Sequence, residues 1–586
     1  MRFRCATPRA STVRRGLGTV NGQGMARPIP NNLREGGDAM ENMEKRFQSL
    51  ADEVLNAAFE FYPTWAARLG LHAYDGRLGF FTPQALDARL RTVREHERAV
   101  RELPGESLDS AERLEREILL AGLERERFEL EDLRSFQRNP LAYVDALDVT
   151  VYVKRSYAPL DRRVLAVAEH LRQLPRLLQE ARCNLEADCP RVFVRTALEM
   201  FQGGLEFLRD QLPPLVREVS GPVRARFEEA HGPAVEAVQA FVAFLAEELL
   251  PSASGEFALG PDRYRRMLWT GERVDLDLES LRRCAEEELA RLHQELEEAA
   301  RRVDPHRPPE EVVRLLSREH PSEEELLPCV QAILAELREF LRRNPVVTVP
   351  EPADCRVEPT PPFLRWAFAM MDTAGPFEEG EVESYYYVTL PDPGWSVAEK
   401  QAWLSRFDVY TLRNTSVHEA YPGHHVHFLR LRGLSSRVAR ALTSYAFVEG
   451  WAHYCEEMML ESGYGDGDPR LRVAQLTDAL VRAVRFRASL GLHTEGWTVE
   501  EAARRFSQEA HLEPLPARKE AERGTFDPGY LSYTLGKLLI RQLRAECERC
   551  LKDAFCLRTF HDRLLDLGAP PVPVARRVLL TQEGGV

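Results

Sequence analysis

The residues best suited to chemistry lie in one short run, TSVHEAYPGHHVHF, from Thr415 to Phe428. A histidine is followed at once by a glutamate, His418 and Glu419. Such a pair opens the helix of many zinc hydrolases. The imidazole binds the ion, and the neighbouring carboxylate takes a proton from a water that the ion acidifies. A catalytic zinc site needs three protein ligands, usually His and Glu, and one position open to water. The second His of such a helix stands four residues after the first, on the same face. Here that position is Pro422, and the histidines that follow are His424, His425 and His427.

A regular helix carries neither of the first two to the right place. His424 would lie about 240° around the axis from His418, and His425 about 10.5 Å further along it. The backbone need not be regular. Pro422 has no N–H to give to a helix interior and crowds the preceding turn. Gly423 adopts conformations that other residues avoid. The pair predicts a bulge or kink, and two looped-out residues would bring His424 into the place of the second ligand. His425 remains the alternative ligand or a partner for a carboxylate, and His427 is expected at the surface. The third ligand must come from a neighbouring helix, and LTSYAFVEGWAHYCEEMML supplies Glu449, 31 residues after His418. Glu449, His453 and Glu456 share one helical face by spacing. One carboxylate there can bind the ion while another orients a ligand imidazole from behind. Amid Phe447, Trp451 and Tyr454 these acids read as a partly buried cluster, and buried carboxylates need partners.

HEAYPGHH followed by FVEGWAHYCEE resembles the signature of a bacterial family catalogued as domain of unknown function 885. The resemblance runs from FYPTWAARLGLHAYDGRL through TLRNTSVHEAYPGHH to DPGYLSYTLGK. That family is similar in turn to helical zinc peptidases of the thimet oligopeptidase and neurolysin type. The resemblance implies that His418, His424 and Glu449 bind one zinc ion and that Glu419 activates water. It places Glu456 on a later Glu of the ligand helix. It also implies that Tyr533, together with Tyr530, donates a hydrogen bond to the oxyanion of a tetrahedral intermediate. The departure from the family pattern is the spacing of the two histidines.

The elements that must position these residues are mostly helices. From about Met43 to residue 344 apolar residues recur at three- and four-residue spacing, with short Pro/Gly breaks. Residues 1–42 read as a disordered extension, 43–344 as a helical wall or lid, and 345–586 as the catalytic region. Within the last, residues 345–392 are rich in Pro, Val, Thr and Tyr, and SYYYVTL is the best strand. Sheet packing is the plain reading of its tyrosines. The functional reading is an edge strand that pairs with a peptide, with Tyr386 and Tyr387 at the substrate. CERC, Cys547 to Cys550, has no second cysteine pair and no preceding strand, so it reads as bystander thiols. GYGDGDP, Gly463 to Pro469, lacks the closing Glu of a calcium loop and reads as a turn.

Composition narrows the partners. The net charge is −14 over 586 residues, and 44% of the residues are hydrophobic. No basic stripe with interleaved aromatics follows the first forty residues, so nucleic acid is not an expected partner. No apolar run is long enough for a secretory signal or a membrane span. Ten scattered cysteines do not form a disulfide framework. The expectation is a cytoplasmic, mainly α, clam-shaped zincin-like protein with a small β-sheet beside the metal site. It would hydrolyse short peptides. The alternatives are hydrolysis of a non-peptide amide or ester, and an inactive protein that binds through the same fold.

Overall fold

A computed structural model describes residues 32–583 apart from 362–364, 366–367 and 381–382. The expected N-terminal extension lies outside the described residues as far as 31, and the chain is already helical over Asn32–Phe61. The apolar pattern that reads as one helix to Gly70 is broken at Tyr62. Pro63 cannot extend the helix before it but suits the first turn of another, and Pro63–Arg68 is that helix. Other prolines are absorbed. Leu160–Asn184 continues through Pro175, and Gly221–Phe244 passes through Pro233, where the sequence pattern suggests a start.

The apolar faces of these helices close on two main cores. One unites Leu160–Asn184, Arg191–Glu206 and Gly221–Phe244 through residues such as Leu171, Phe201 and Phe241. The other holds Phe447, Trp451 and Val417 and also takes in Leu296 and Leu337 from the helices Leu278–Val303 and Leu326–Arg343. Those two helices precede residue 345, where the catalytic region is expected to start, and pack with the residues after it. A third cluster joins Phe59 and Leu119 to Val438 and Val574, which seats the first helices on the C-terminal half.

The change of texture near Asn344 is a change of structure. Three strands of four residues follow: β1 (Arg356–Pro359), β2 (Ala369–Asp372) and β3 (Tyr385–Val388). Their order is β1-β3-β2, with β1 parallel and β2 antiparallel to β3. The tyrosine strand is thus the centre of the sheet and not an edge. Tyr386 is fully buried, its hydroxyl 3.4 Å from Ser416 Oγ, and Tyr387 is buried with the Lys154 ammonium 5.1 Å from its ring centre. Three aromatics in succession suit a strand covered on both faces. Sheet packing accounts for Tyr386 and Tyr387, and the edges belong to β1 and β2.

A paired histidine ties the N-terminal helices to the approach to β3. His72 Nδ1 lies 3.1 Å from Asp75 Oδ1, and its Nε2 lies 2.9 Å from Glu378 Oε2. The ring stacks on Tyr157 at 3.6 Å. Burial alone would lower its pKa, but the two carboxylates hold it up at about 9. The unfolded value is about 6.5. The stabilisation is therefore complete below that value and is lost as pH rises through the folded one. The melting temperature should fall between about pH 7 and pH 9, and His72→Gln should flatten that slope. Equal slopes for the two proteins, measured by calorimetry across that range, would remove the bridge from the account.

Candidate metal centre

Helix α1 (Val409–Glu419) starts at Asp408, whose carboxylate accepts hydrogen bonds from the N–H groups of Tyr410 and Thr411 at 3.0 and 2.9 Å. It stops at Glu419, and α2 (His424–Arg432) follows after a short loop. The backbone hydrogen bonds across the break show how it is built. Ala420 N–H reaches four residues back, to Ser416 O at 2.9 Å, and Tyr421 N–H reaches five back, to the same oxygen at 3.1 Å. Gly423 N–H to Val417 O (3.0 Å) and Val426 N–H to Ala420 O (3.4 Å) each reach six back. An undisturbed α-helix reaches four, so the loop contains two extra residues. The expected kink is a complete break, yet the offset is the expected two residues.

Neighbours hold this loop in place. Trp451 Nε1 donates to Pro422 O at 3.0 Å. A Cβ on Gly423 would lie 1.8 Å from His418 O, so only glycine lets the loop fold back onto α1.

Three further helices complete the surroundings: α3 (Tyr445–Glu461), α4 (Pro469–Thr494) and α5 (Ser532–Leu551). Ser444 caps α3 through Phe447 N–H at 3.1 Å. Asp468, at the end of the GYGDGDP turn, caps α4. Helices α3 and α5 cross at Gly450 and Gly536, so closely that a Cβ on Gly536 would lie 1.8 Å from Ala446 O. The crossing fixes Glu449, beside one glycine, relative to Tyr533, one turn before the other.

Donor atoms of His418, His424 and Glu449 all lie within 4.8 Å of one another. His418 Nε2 is 3.5 Å and His424 Nε2 3.4 Å from Glu449 Oε2. A tetrahedral zinc with arms of about 2.05 Å sets its ligand atoms about 3.3 Å apart, so these separations fit a shared ion. Glu449 Oε2 is buried without a hydrogen-bond partner, and the imidazole rings stand nearly perpendicular at 88°. The geometry favours His424 over the alternative His425. His425 is fully buried, and its Nε2 is taken by Ala353 O at 3.0 Å. His427 is not at the surface as expected but fully buried against Phe428 and Phe447, because α2 packs that face inward.

Behind the cluster Glu456 is 1% exposed and holds His418 Nδ1 at 2.7 Å. Its other oxygen is 3.2 Å from His453 Nδ1 and 3.4 Å from Asn414 Nδ2, and Arg482 lies 3.2 Å from the first. Glu456 and His453 therefore stand behind the donor set. Burial keeps His453 neutral, its pKa pushed down to about 4. The same burial would lower that of His418, but Glu449 and Glu456 raise it to about 9. The Glu449 carboxyl also resists burial. The His424 and His418 imidazoles hold it well below the usual carboxylate range.

Glu419 reaches the sheet. Its Oε2 accepts the Met371 N–H of β2 at 3.1 Å. The Tyr533 ring lies parallel to that of His418 within 14°, at 6.4 Å. The expected partner Tyr530 is elsewhere. It is fully buried, with its hydroxyl where a side chain on Gly524 would stand. Sequence reasoning missed three other neighbours of Tyr533: Tyr445, 5.8 Å away ring to ring, and the guanidiniums of Arg485 and Arg523 at 5.2 and 5.9 Å. Arg485 is forked on Glu520, while Arg523 pairs with Asp527 and donates to Tyr445 Oη at 3.1 Å. No motif flags them, since an arginine in a charged helix usually marks a solvated face.

A protonated His418 must release its proton to an incoming ion, so metal affinity should rise as pH rises towards 9, by up to about tenfold per unit. Titration calorimetry of zinc in buffers of different ionisation enthalpy reads the released proton. Pairing Glu456→Gln with that measurement should show a loss of about 10–100-fold in affinity. A pH-independent affinity, or a variant that binds as tightly as the parent, speaks against this donor set.

Residues 63–579 match a family model described as "Bacterial protein of unknown function (DUF885)". No curated protein matches the chain. Among solved structures the chain is similar to one described as "a putative lipoprotein of unknown function from Shewanella oneidensis". Identity is 23% and the TM-score 0.76, over 91% of this chain and 99% of that one. It is also similar to "the putative lipoprotein from Colwellia psychrerythraea", at 19% identity and TM-score 0.79, over 93% of this chain and 100% of that one. At such identities the likeness concerns the fold. The family match spans the broken helix, the Glu449 helix and Tyr533, and the chain belongs to the DUF885 family of bacterial proteins.

Proposed function

We propose that the chain is a zinc-dependent hydrolase of short peptides, a helical zincin of the thimet oligopeptidase and neurolysin type. One observation carries the reading. His418 and His424 each stand at about the spacing of a tetrahedral ion's ligands from Glu449, with all three donors within 4.8 Å, across a helix break that adds two residues to the usual motif. Zinc held there supplies a Lewis acid for the scissile carbonyl and lowers the pKa of water.

The chain's own residues supply the rest. Glu419 Oε2, held by Met371 N–H, accepts a proton from water and returns it to the leaving amine. Tyr533 donates a hydrogen bond to the carbonyl oxygen as charge develops on it. Arg485 and Arg523 beside its ring keep positive charge near that oxygen. Glu456 keeps the His418 ring in one orientation. A peptide is favoured over other amides because β2 is an edge strand next to Glu419, able to pair with an extended backbone.

For location, none of the nine described cysteines is in a disulfide, which favours a reducing, cytoplasmic compartment. Among the described residues no helix is long and apolar enough to cross a membrane. The lipoprotein descriptions of the two fold relatives favour the cell envelope instead, and cell fractionation separates the two.

The test compares the purified chain with Glu419→Gln and Tyr533→Phe, each assayed for bound metal and incubated with a mixed peptide library read by mass spectrometry. Glu419→Gln should keep its zinc and lose about 10²–10⁴-fold in cleavage rate. Tyr533→Phe should lose about 10²–10³-fold. Metal without Glu419-dependent cleavage would sink the peptidase reading. Turnover of non-peptide amides or esters alone would move the substrate class.

A further inference from the structure

A cavity of about 440 Å³ lies apart from the metal cluster, between the helices Asn32–Phe61 and Ser110–Arg127 and the segment that carries Phe136 and Tyr143. None of His418, Glu419, His424, Glu449 or Tyr533 lines it. Its size suits a small ligand, and its wall is largely apolar, with Trp65, Phe81 and Phe136 among the larger side chains.

Six charged side chains interrupt that wall, and they divide into two kinds. Arg68 is paired with Asp145, and Arg89 is forked on Glu126 at 2.7 Å on both arms. Those four neutralise one another. Arg125 and Glu129 do not. They are four residues apart, where the α-helix ending at Arg127 gives way to the π-turn Phe128–Asp132. A pair at that spacing on an even helix is placed to close on itself. Here each makes a neutral contact instead. Arg125 Nη1 donates to Thr443 O at 3.2 Å, and Glu129 accepts from the Ser135 hydroxyl. Neither forms a salt bridge among the described residues, although Arg125 acts at longer range on Glu129 and Glu272, and both line the cavity. Burial raises the Glu129 carboxyl, against the smaller downward pulls of the Ser135 hydroxyl and the Arg125 guanidinium. Wide turns of this kind are frequent at functional sites.

We infer that this cavity binds a zwitterion with a bulky apolar body, a free hydrophobic amino acid or a di- or tripeptide. The ammonium group meets Glu129, the carboxylate meets Arg125, and the side chain fills the apolar chamber. The binding requires no metal. It does bear on the metal helix, because Leu442 lines the cavity and Thr443 holds Arg125, immediately before the Ser444 cap of α3.

The full-length chain, carrying Glu419→Gln so that no peptide is consumed, is titrated calorimetrically with L-phenylalanine and with L-phenylalanyl-L-leucine. The N-acetylated and C-amidated form of each is run beside it, with and without zinc. The free forms should bind saturably, at least about tenfold tighter than the blocked ones, as removal of one charge partner costs on this scale. Glu129→Gln should erase the preference over the N-acetyl form alone, and Arg125→Gln the preference over the amide alone. Ala58→Phe should fill the chamber and abolish binding of both ligands while the melting transition persists. Which free ligand binds tighter tells the amino acid from the peptide. Absence of saturable binding, equal binding of blocked and free forms, loss of both preferences in each variant, or a requirement for zinc would overturn the assignment.

Discussion

Three helices meet on one buried carboxylate. Glu456 comes from α3, and it receives His418 and Asn414 from α1 and Arg482 from α4. A charge taken out of water is costly unless hydrogen bonds and opposite charge surround it. The oxygens of Glu456 are met by His418, His453, Asn414 and Arg482, so the three helices can pack in only one relative placement without stranding it. That placement fixes the direction in which the His418 ring presents its free nitrogen. Glu449 lies seven residues earlier on the same helix, and its separation from His418 is set by the same contact. The donor geometry is thus a by-product of satisfying a carboxylate that touches no metal.

The glycines work in the opposite sense, by letting backbones approach. Gly423 folds the Ala420–Gly423 loop onto the end of α1, and the Gly450–Gly536 crossing draws α5 against α3. The first delivers His424, and the second delivers Tyr533. None of the three glycines carries a functional group, and at Gly423 and Gly536 any side chain would collide with a carbonyl oxygen. The polar centre is therefore framed by contacts that depend on missing atoms as much as on present ones.

Much of the site is legible in the sequence, because its signals are local. A His-Glu pair, a Pro-Gly break and a helical face of Glu449, His453 and Glu456 each have a physical reading within a dozen residues, the two-residue offset follows from the break, and the family resemblance adds the Phe-Val-Glu match. The helical texture and the change near Asn344 are equally local. What escaped is what depends on the assembled chain. The centre of a sheet cannot be told from its edge in so short a strand, so sequence leaves an edge role open for Tyr386 and Tyr387 beside the plain reading of sheet packing, and the structure makes them core. His427 looks like a surface histidine until α2 is laid against Phe447. Tyr530 and Tyr533 share a motif, but one helical turn separates a residue sealed against Gly524 from one beside His418.

One strand residue joins the halves in a way that composition does not reveal. Asp372, the last residue of β2, is paired with Arg155 and lies 3.5 Å from Lys154, both in the N-terminal half. The residue before it, Met371, holds Glu419 through its N–H. Adjacent residues of one short strand therefore hold the end of the Thr150–Lys154 helix on one side and Glu419 on the other. The strand is a tie two residues long, with one end in the N-terminal half of the molecule and the other at Glu419.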